Sequence, residues 1–309
     1  MSPLESGVLE DGRTYTVLEE LSTFCPLGLR FWDAVADDQI RDGLQVRAWP
    51  LPARRPVVDA FQTVSNIYAF QWLPGLRDVE EPMASVPPAS PPTRRTFVIE
   101  VRDLERRFLP AAFQVELPLP QRGLFQPPLL GSPGTATPGF YLFSAPTRSQ
   151  SPGVAVVRGE LVSATTLAPV PWALVRVTIA GQGERWGLAD AGGRFAVQFP
   201  LPLLTPGFGR LFASPDGAAS PPGPPVADRS WAITLDLFAQ PSRLAPLPGT
   251  DLPDLAQVFQ QASVDLLQVV GSPASAVADW SGTLPFSGEL IAATDGRRQL
   301  LVVSRGSPL

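Results

Sequence analysis

The sequence predicts an all-β protein built from two tandem antiparallel β-sandwich domains. Three observations predict this class. Proline (37) and glycine (26) together make up about a fifth of the 309 residues, and both residue types interrupt helices and strands. Short segments alternate apolar and polar residues, and a pattern near residue 45 returns near residue 175. A single hydrophobic core rarely extends beyond about 250–300 residues, so this chain length favours two domains.

The residue inventory excludes most enzyme mechanisms. The chain has no histidine, and all 24 basic residues are arginine, so it lacks the commonest general base, the commonest metal ligand and the Schiff-base nucleophile. Cys25 is the only cysteine, which rules out an intramolecular disulfide and the usual Cys and His zinc sites. We therefore predict a protein that is not an enzyme, with no catalytic residues, no cofactor and no metal.

Charge and hydropathy limit the partners. The net charge is −5, whereas phosphate contacts require a basic surface, so we expect no nucleic-acid partner. No basic segment followed by an apolar run stands near the N-terminus, which predicts no signal peptide. No run of about 18 apolar residues is present, which predicts no membrane insertion. The expected location is the cytoplasm.

Residues 27–122 are predicted as the first sandwich, after an N-terminal arm at 1–26. Short segments with strand character recur at 28–35, 43–49, 67–70, 96–101 and 113–117. Period-two alternation is typical of half-buried strands, and the Pro and Gly residues between the segments predict turns. Residues 123–152 are predicted as a Pro/Gly-rich linker to a second sandwich at 153–309.

Three Pro-rich segments interrupt this pattern. They lie at 80–92, 126–138 and 214–225. Each could be a flexible linker or an extended arm that lies along a neighbouring subunit, because polyproline segments lose little entropy when they dock. For the first two segments we expect more contact with other subunits than with their own domain.

An internal repeat relates the two predicted sandwiches. Arg47 and Arg176 occupy matching strand positions 129 residues apart, and Tyr68 and Phe195 match at 127 residues. Offsets that agree this closely indicate one sandwich that was duplicated, with turns of slightly different length.

The second copy contains a turn that defines its fold. Asp190 is expected to close an Asx-type turn, Gly192 or Gly193 to supply a positive φ, and Phe195 to begin an inward-facing alternation. The segments VRGELV (157–162), PWALVRV (171–177) and ADAGGRF (189–195) together resemble the carboxypeptidase regulatory-like, transthyretin-like domain. That resemblance implies an immunoglobulin-like or transthyretin-like sandwich and carries no catalytic residues with it.

A second resemblance covers most of the chain. The segments RFLP (107–110), FSAPTR (143–148), PWA (171–173) and LADAGGR (188–194) are similar to those of uncharacterised proteins encoded with phage-tail-like contractile injection systems. The resemblance implies a structural role in a cap, collar or baseplate. The partners it implies are other subunits of a large assembly that holds several copies of the chain.

The C-terminal part of the second domain is predicted as a strand, a helix and a hairpin. Residues 231–238 alternate strongly. Asp251 and Asp254 are candidate N-caps for the only helix that the sequence predicts, whose apolar face would contain Leu255, Val258, Phe259, Ala262 and Leu266. The Asp-Gly pair at 295–296 between two apolar runs indicates a hairpin, which either completes the second sandwich or extends a neighbour's sheet.

Two groups of residues are candidate ligand sites. Asp33, Asp37, Asp38 and Asp42 could bind calcium, but their spacing matches no metal loop and favours a solvated turn. The seven tryptophans could form a sugar-binding platform, yet most stand in alternating strands, which favours the core. Trp186, in a predicted hairpin, is the tryptophan expected to be exposed for binding.

Two functions therefore remain open from the sequence. In the first, the chain is a non-enzymatic structural subunit of a phage-tail-like contractile particle. In the second, it is an accessory module that binds carbohydrate or another surface ligand. The absence of the residue types that most enzyme mechanisms need, together with the Pro-rich segments, favours the first function.

Overall fold

The computed structural model describes residues 6–8, 14–16, 25–53, 55–77, 94–119, 139–201, 229–268, 276–286 and 288–303. These residues form an all-β protein, which confirms the predicted fold class. Within the predicted arm, β1 (Ser6–Val8) pairs with β2 (Thr14–Thr16) in a small antiparallel sheet. The remaining strands form two lobes, each with its own buried apolar cluster.

Among the described residues, lobe 1 contains ten strands. They are β3 (Leu27–Leu29), β4 (Phe31–Asp33), β5 (Asp38–Gln39), β6 (Leu44–Pro50), β7 (Val58–Asp59), β8 (Phe61–Gln62), β9 (Tyr68–Phe70), β10 (Arg95–Asp103), β11 (Ala111–Leu117) and β12 (Phe140–Leu142). One sheet has the order β7-β6-β10-β11, and the other strands form two small sheets, β3-β9-β8 and β12-β4-β5. Alternate residues of all three sheets meet in one core, as the sequence alternation predicts.

Lobe 2 also contains ten strands. They are β13 (Val154–Ser163), β14 (Leu174–Ile179), β15 (Gly183–Leu188), β16 (Arg194–Pro200), β17 (Ser230–Phe238), β18 (Asp265–Leu267), β19 (Ala276–Val277), β20 (Trp280–Pro285), β21 (Glu289–Ala292) and β22 (Leu300–Val303). One sheet has the order β15-β14-β17-β20. The other has the order β16-β13-β22-β18-β19, with β21 also paired to β13.

One four-stranded sheet in each lobe has the same arrangement of strands, whereas the remaining sheets of the two lobes differ in strand order. The order β7-β6-β10-β11 in lobe 1 corresponds to β15-β14-β17-β20 in lobe 2. The register agrees as well: Arg47 lies opposite Glu100 across β6 and β10, and Arg176 lies opposite Asp236 across β14 and β17. The order and register of this one sheet agree with the predicted duplication, whereas the strand order of the remaining sheets does not, so the duplication stays a prediction.

Each lobe also includes a parallel pair. Strand β12 runs parallel to β4, and β21 and β22 both run parallel to β13. The predicted C-terminal hairpin is therefore wrong, because β21 and β22 do not pair with each other. They follow one another along β13, and the turn at Gly296, with φ +73°, joins them. A parallel pair needs a long crossover connection, which the Asp-Gly signal does not reveal.

The C-terminal helix is present but shorter than its apolar spacing predicts. Helix α1 (Leu255–Val258) is capped by Asp254, whose Oδ1 accepts a hydrogen bond from the Ala256 amide at 3.0 Å. Beyond it the chain pairs with the end of β17, where the Val264 amide donates to the Leu237 carbonyl. This pairing ends the helix and places Leu266 in strand β18.

The predicted domain boundaries stay a prediction, and two observations bear on them. Strand β12 lies in the predicted linker, and Phe140 is buried in the lobe 1 core. In addition, Leu255 and Val258, from the predicted second domain, belong to the same core. The Pro-rich segments 80–92, 126–138 and 214–225 lie outside the described residues. No helix within the described ranges is long and apolar enough to span a membrane.

Candidate functional site

The turn at Asp190 has a structural role. Asp190 Oδ1 accepts hydrogen bonds from the backbone amides of Gly192 at 2.8 Å and Arg194 at 2.9 Å. Gly193, rather than Gly192, supplies the positive φ, at +78°. Phe195 is buried in the lobe 2 core. These contacts close the turn before β16 and leave no group of the motif directed at a ligand.

Trp186 lies in a cluster on the outer face of the β15-β14-β17-β20 sheet. Its ring centroid is 5.8 Å from that of Phe238, and the Arg176 guanidinium lies over both rings at 5.7 and 5.6 Å. Arg176 also donates to Asp236 at 3.0 Å and lies 3.5 Å from Glu184. The hydrogen bond to Asp236 raises the pKa of Arg176, against the lowering effect of burial. Trp186 is therefore half-buried rather than exposed as predicted.

Beside this cluster, hydroxyl groups line the same face. Thr178, Thr234 and Ser281 lie opposite one another on β14, β17 and β20. Thr283 follows on the same side of β20 and is exposed. The Ser281 hydroxyl is hydrogen-bonded to Gln268, whereas the described residues provide no partner for the hydroxyls of Thr178 and Thr234. We call Thr178, Thr234, Ser281 and Thr283 the hydroxyl face.

The equivalent face of lobe 1 holds a buried carboxylate. Glu100 is 2% exposed and accepts hydrogen bonds from Arg47, from Arg102 at 2.8 Å and from Thr250 at 2.7 Å. Burial alone would raise the pKa of Glu100, but these three donors outweigh it and lower the pKa from 4.5. Arg102 also binds Asp251 at 2.5 Å and lowers the pKa of that carboxyl.

This face of lobe 1 is covered by a segment that leaves lobe 2 after β17. We call residues 247–254 the bridging segment. Leu247 and Leu252 pack against Trp49, Val98 and Ala112 in a separate apolar cluster. The indole nitrogen of Trp49 donates to the carbonyl of residue 248 at 2.8 Å. The bridging segment therefore joins the two lobes through apolar contacts and through the Glu100 hydrogen bonds.

A small cavity lies where the bridging segment meets the edge of lobe 1. Its volume is about 200 Å³, and its lining residues are Arg47, Trp49, Val57 and Gly249. Gly249 has φ +101°, and a Cβ at this position would lie 2.8 Å from the Trp49 indole. The glycine thus allows the bridging segment to approach the tryptophan ring.

Four large apolar side chains between residues 57 and 72 are exposed, and one of them, Val57, also lines this cavity. They are Val57, Phe61, Val64 and Trp72, which are 47%, 43%, 103% and 62% exposed. Val57 precedes β7, Phe61 lies in β8 and Val64 follows β8, and both strands are edge strands of their sheets, whereas Trp72 follows β9. Trp72, not Trp186, is the tryptophan that the structure exposes. We call these four residues the apolar rim.

Each of the four aspartates of the candidate calcium site contacts an arginine or tyrosine side chain instead. Asp33 forms two hydrogen bonds with Arg148, at 3.0 and 2.6 Å. Asp42 binds Arg107, Asp37 accepts from Tyr141, and Asp38 lies 3.6 Å from Arg41. Within the described residues, no group of three or more His, Cys, Asp or Glu side chains could hold a metal.

Comparison with known proteins gives little guidance. No protein-family profile matches the chain, and no curated protein matches it. A solved structure from Bacteroides ovatus, described as that of a candidate adhesin, is similar at 10% identity over 94% of this chain and 95% of that chain, with a TM-score of 0.20. A similarity at this level carries no argument about fold or function.

Sequence reasoning missed the Glu100 network and the bridging segment. One signal was available: Arg47 and Arg176 were already equivalent in the repeat, and Glu100 and Asp236 are the acidic residues that interrupt apolar runs on later strands. The pairing of each arginine with its acid depends on strand register, which is not visible in the sequence.

Proposed function

We propose that the chain is a non-enzymatic structural subunit that acts through protein-protein contacts. The setting we propose is a phage-tail-like contractile injection particle, in which the chain would be a cap, collar or baseplate component. The observation that carries the proposal is the apolar rim. Four exposed large apolar side chains within 16 residues of chain favour an interaction surface, since large exposed apolar patches mark such sites.

The edge strands beside the rim supply a second means of contact. Edge strands present unpaired backbone N–H and C=O groups, to which a strand from a partner can pair. Strands β7 and β8 follow each other directly and lie at the edges of different sheets. A partner subunit at this position would form backbone hydrogen bonds while it covers Val57 and Phe61.

The bridging segment suits a structural subunit, since it ties the lobes together by buried contacts. Leu247 and Leu252 are buried against lobe 1, and Gln114 donates to Asp254 at 3.1 Å. Two lobes held in this way would keep a fixed spacing between the rim and the surfaces of lobe 2. A fixed spacing is what a component of a symmetric particle requires.

The experiment is complementation of a strain deleted for the gene, with particles viewed by negative-stain electron microscopy. We expect the deletion to remove a cap, collar or baseplate and the wild-type gene to restore it. A Phe61→Asp and Val64→Asp double variant should fail to restore it. The matched control is Ile291→Asp in lobe 2, because Ile291 is similarly exposed, at 65%. Normal particles in the deletion strain, or restoration by the rim variant, would overturn the proposal.

A second candidate function is carbohydrate binding by an accessory module. One observation favours it: the hydroxyl face is open and adjoins Trp186 and Arg176 on the same sheet. Screening the purified protein on a glycan array, alongside size-exclusion chromatography for assembly, separates the two candidates. A monomeric chain that binds a glycan, with normal particles in the deletion strain, favours the second candidate. Self-association and particle loss in the deletion strain favour the first, whether or not the chain binds a glycan.

A further inference from the structure

Because one four-stranded sheet has the same order in both lobes, each residue on this sheet of lobe 2 can be compared with the residue at the matching position in lobe 1. In lobe 1, the row of outer-face residues after Arg47 is apolar where the bridging segment covers it: Trp49 on β6 and Val98 on β10. In lobe 2, the matching positions on β14 and β17 are Thr178 and Thr234. The same sheet position is thus apolar where a protein segment covers it and carries hydroxyl groups where it is open.

We propose that the hydroxyl face of lobe 2, together with Trp186, binds a neutral saccharide, an inference that rests on the second candidate function and names its ligand class. A protein segment like the one on lobe 1 would leave the threonine hydroxyls buried without partners, which costs free energy. A saccharide supplies a matching donor and acceptor for each of them. Adjacent strands lie about 4.8 Å apart, so hydroxyls on β14, β17 and β20 span a distance comparable with one or two sugar rings.

The charges around the face favour a neutral ligand. Arg176 is already paired with Asp236 at 3.0 Å and lies 3.5 Å from Glu184. Asp279 adds a further negative charge near Arg176. A phosphate, a sulfate or a uronic acid placed here would meet more negative than positive charge. The geometry therefore selects a neutral sugar rather than an anionic one.

Trp186 supplies the apolar contact that sugar recognition also uses. In the register of β14 and β15, Trp186 lies opposite Arg176, and Glu184 lies opposite Thr178. The half-buried indole therefore lies two residues along the strands from the hydroxyl row, on the same face of the sheet. The C–H groups of a saccharide can pack on the accessible part of the ring while its hydroxyls reach Thr178 and Thr234.

The test is a glycan array probed with the purified full chain, followed by isothermal titration calorimetry with the saccharide that binds best. The variant is Thr178→Val with Thr234→Val, which removes two hydroxyls while it keeps side-chain shape and strand preference. We expect the double variant to bind at least about tenfold more weakly, since it loses about 1.4 kcal/mol or more. The matched control is Thr96→Val, a threonine on the outer face of β10 in lobe 1.

Threonine is also common on strands that face solvent. The outcomes must therefore distinguish a saccharide-binding site from a sheet surface that binds no ligand. Binding of a neutral saccharide that the double variant weakens and Thr96→Val leaves intact supports the proposal. No binding on the array, preference for acidic glycans, or equal binding by the double variant would overturn it. Particle complementation by the double variant should match the wild type, so this result and the role of the apolar rim are tested independently.

Discussion

Gly193 and Gly181 have nearly the same backbone conformation in different surroundings. Their φ values are +78° and +76°. A Cβ on Gly193 would lie 2.6 Å from the Leu161 carbonyl oxygen, whereas a Cβ on Gly181 would meet no atom within 4 Å. An alanine at Gly181 would therefore test the cost of positive φ alone, whereas an alanine at Gly193 would add a steric conflict with the backbone.

We predict that Gly193→Ala destabilises the protein more than Gly181→Ala. Both variants place a side chain at positive φ, which costs about 1 kcal/mol, but only the first must also move the backbone around the Asp190 turn. Urea unfolding followed by circular dichroism measures the difference. Equal midpoints for the two variants would show that the crowding at Gly193 relaxes freely.

Glu100 makes stability depend on pH in a defined direction. Its pKa in the folded state lies below the reference value of 4.5. A carboxylate with a depressed pKa contributes stability that is complete above its unfolded pKa and lost as pH falls through the folded value. The contribution should therefore be full at neutral pH and decline only below about pH 4.5.

We predict that Glu100→Gln lowers stability at pH 7 by about 1–3 kcal/mol, the cost of weakened charged hydrogen bonds. The difference from wild type should shrink as pH falls below 4.5. Thermal unfolding across pH measures this. The matched control is Glu116→Gln on β11, where both Glu116 and its partner Arg94 are mostly exposed, so little change is expected. A difference that persists unchanged at low pH would contradict the assignment.

At the scale of elements, the bridging segment is held by two kinds of contact. Leu252 is 2% exposed and packs in the cluster with Trp49, and Thr250 and Asp251 bind the Glu100 network. The apolar contacts are the larger contribution, since Asp251 and Arg102 are 77% and 37% exposed, so that solvent screens their ion pair.

We predict that Leu252→Ala destabilises the protein by about 2–5 kcal/mol, as expected for a buried leucine replaced by alanine. Because the change opens the cover over Trp49, tryptophan fluorescence should become more accessible to acrylamide quenching. The control is Leu104→Ala, whose side chain is 69% exposed. Unchanged stability and quenching in Leu252→Ala would mean that the segment is not seated on lobe 1.

At the scale of the whole molecule, the two lobes share part of their cores. Leu188 of lobe 2, together with Leu255 and Val258 of α1, lies in the apolar cluster of lobe 1. Gln261 links the same region to the turn before β14, donating to the Trp172 carbonyl at 2.8 Å. Neither lobe can lose its structure without exposing apolar surface of the other.

We predict that the protein unfolds in a single calorimetric transition, with equal calorimetric and van't Hoff enthalpies. Replacement of residues 247–253 by a Gly/Ser linker of the same length should lower the transition temperature but keep a single transition, because Leu188, Leu255 and Val258 still join the two lobes. Two transitions in the wild-type protein would contradict the shared core.

Much of the fold was predictable because its determinants are local. Alternation with period two indicates strands, and the Asp190 turn and the Asp254 cap depend on side chains within four residues of the amides they bind. The repeat of Arg47 at Arg176 could be found as well, since duplicated sandwiches keep their strand spacing. The sequence by itself therefore determined the all-β class, the matching positions of Arg47 and Arg176, the Asp190 turn and the start of the helix.

Only the tertiary structure decided how these units meet. The course of the bridging segment, the burial of Glu100 and the half-burial of Trp186 all depend on residues far apart in the chain, such as Trp49 and Leu252. The parallel placement of β21 beside β13 likewise follows a crossover that turn residues do not encode. Local patterns fix which side of a strand is apolar, whereas the surface that covers that side is set by long-range packing.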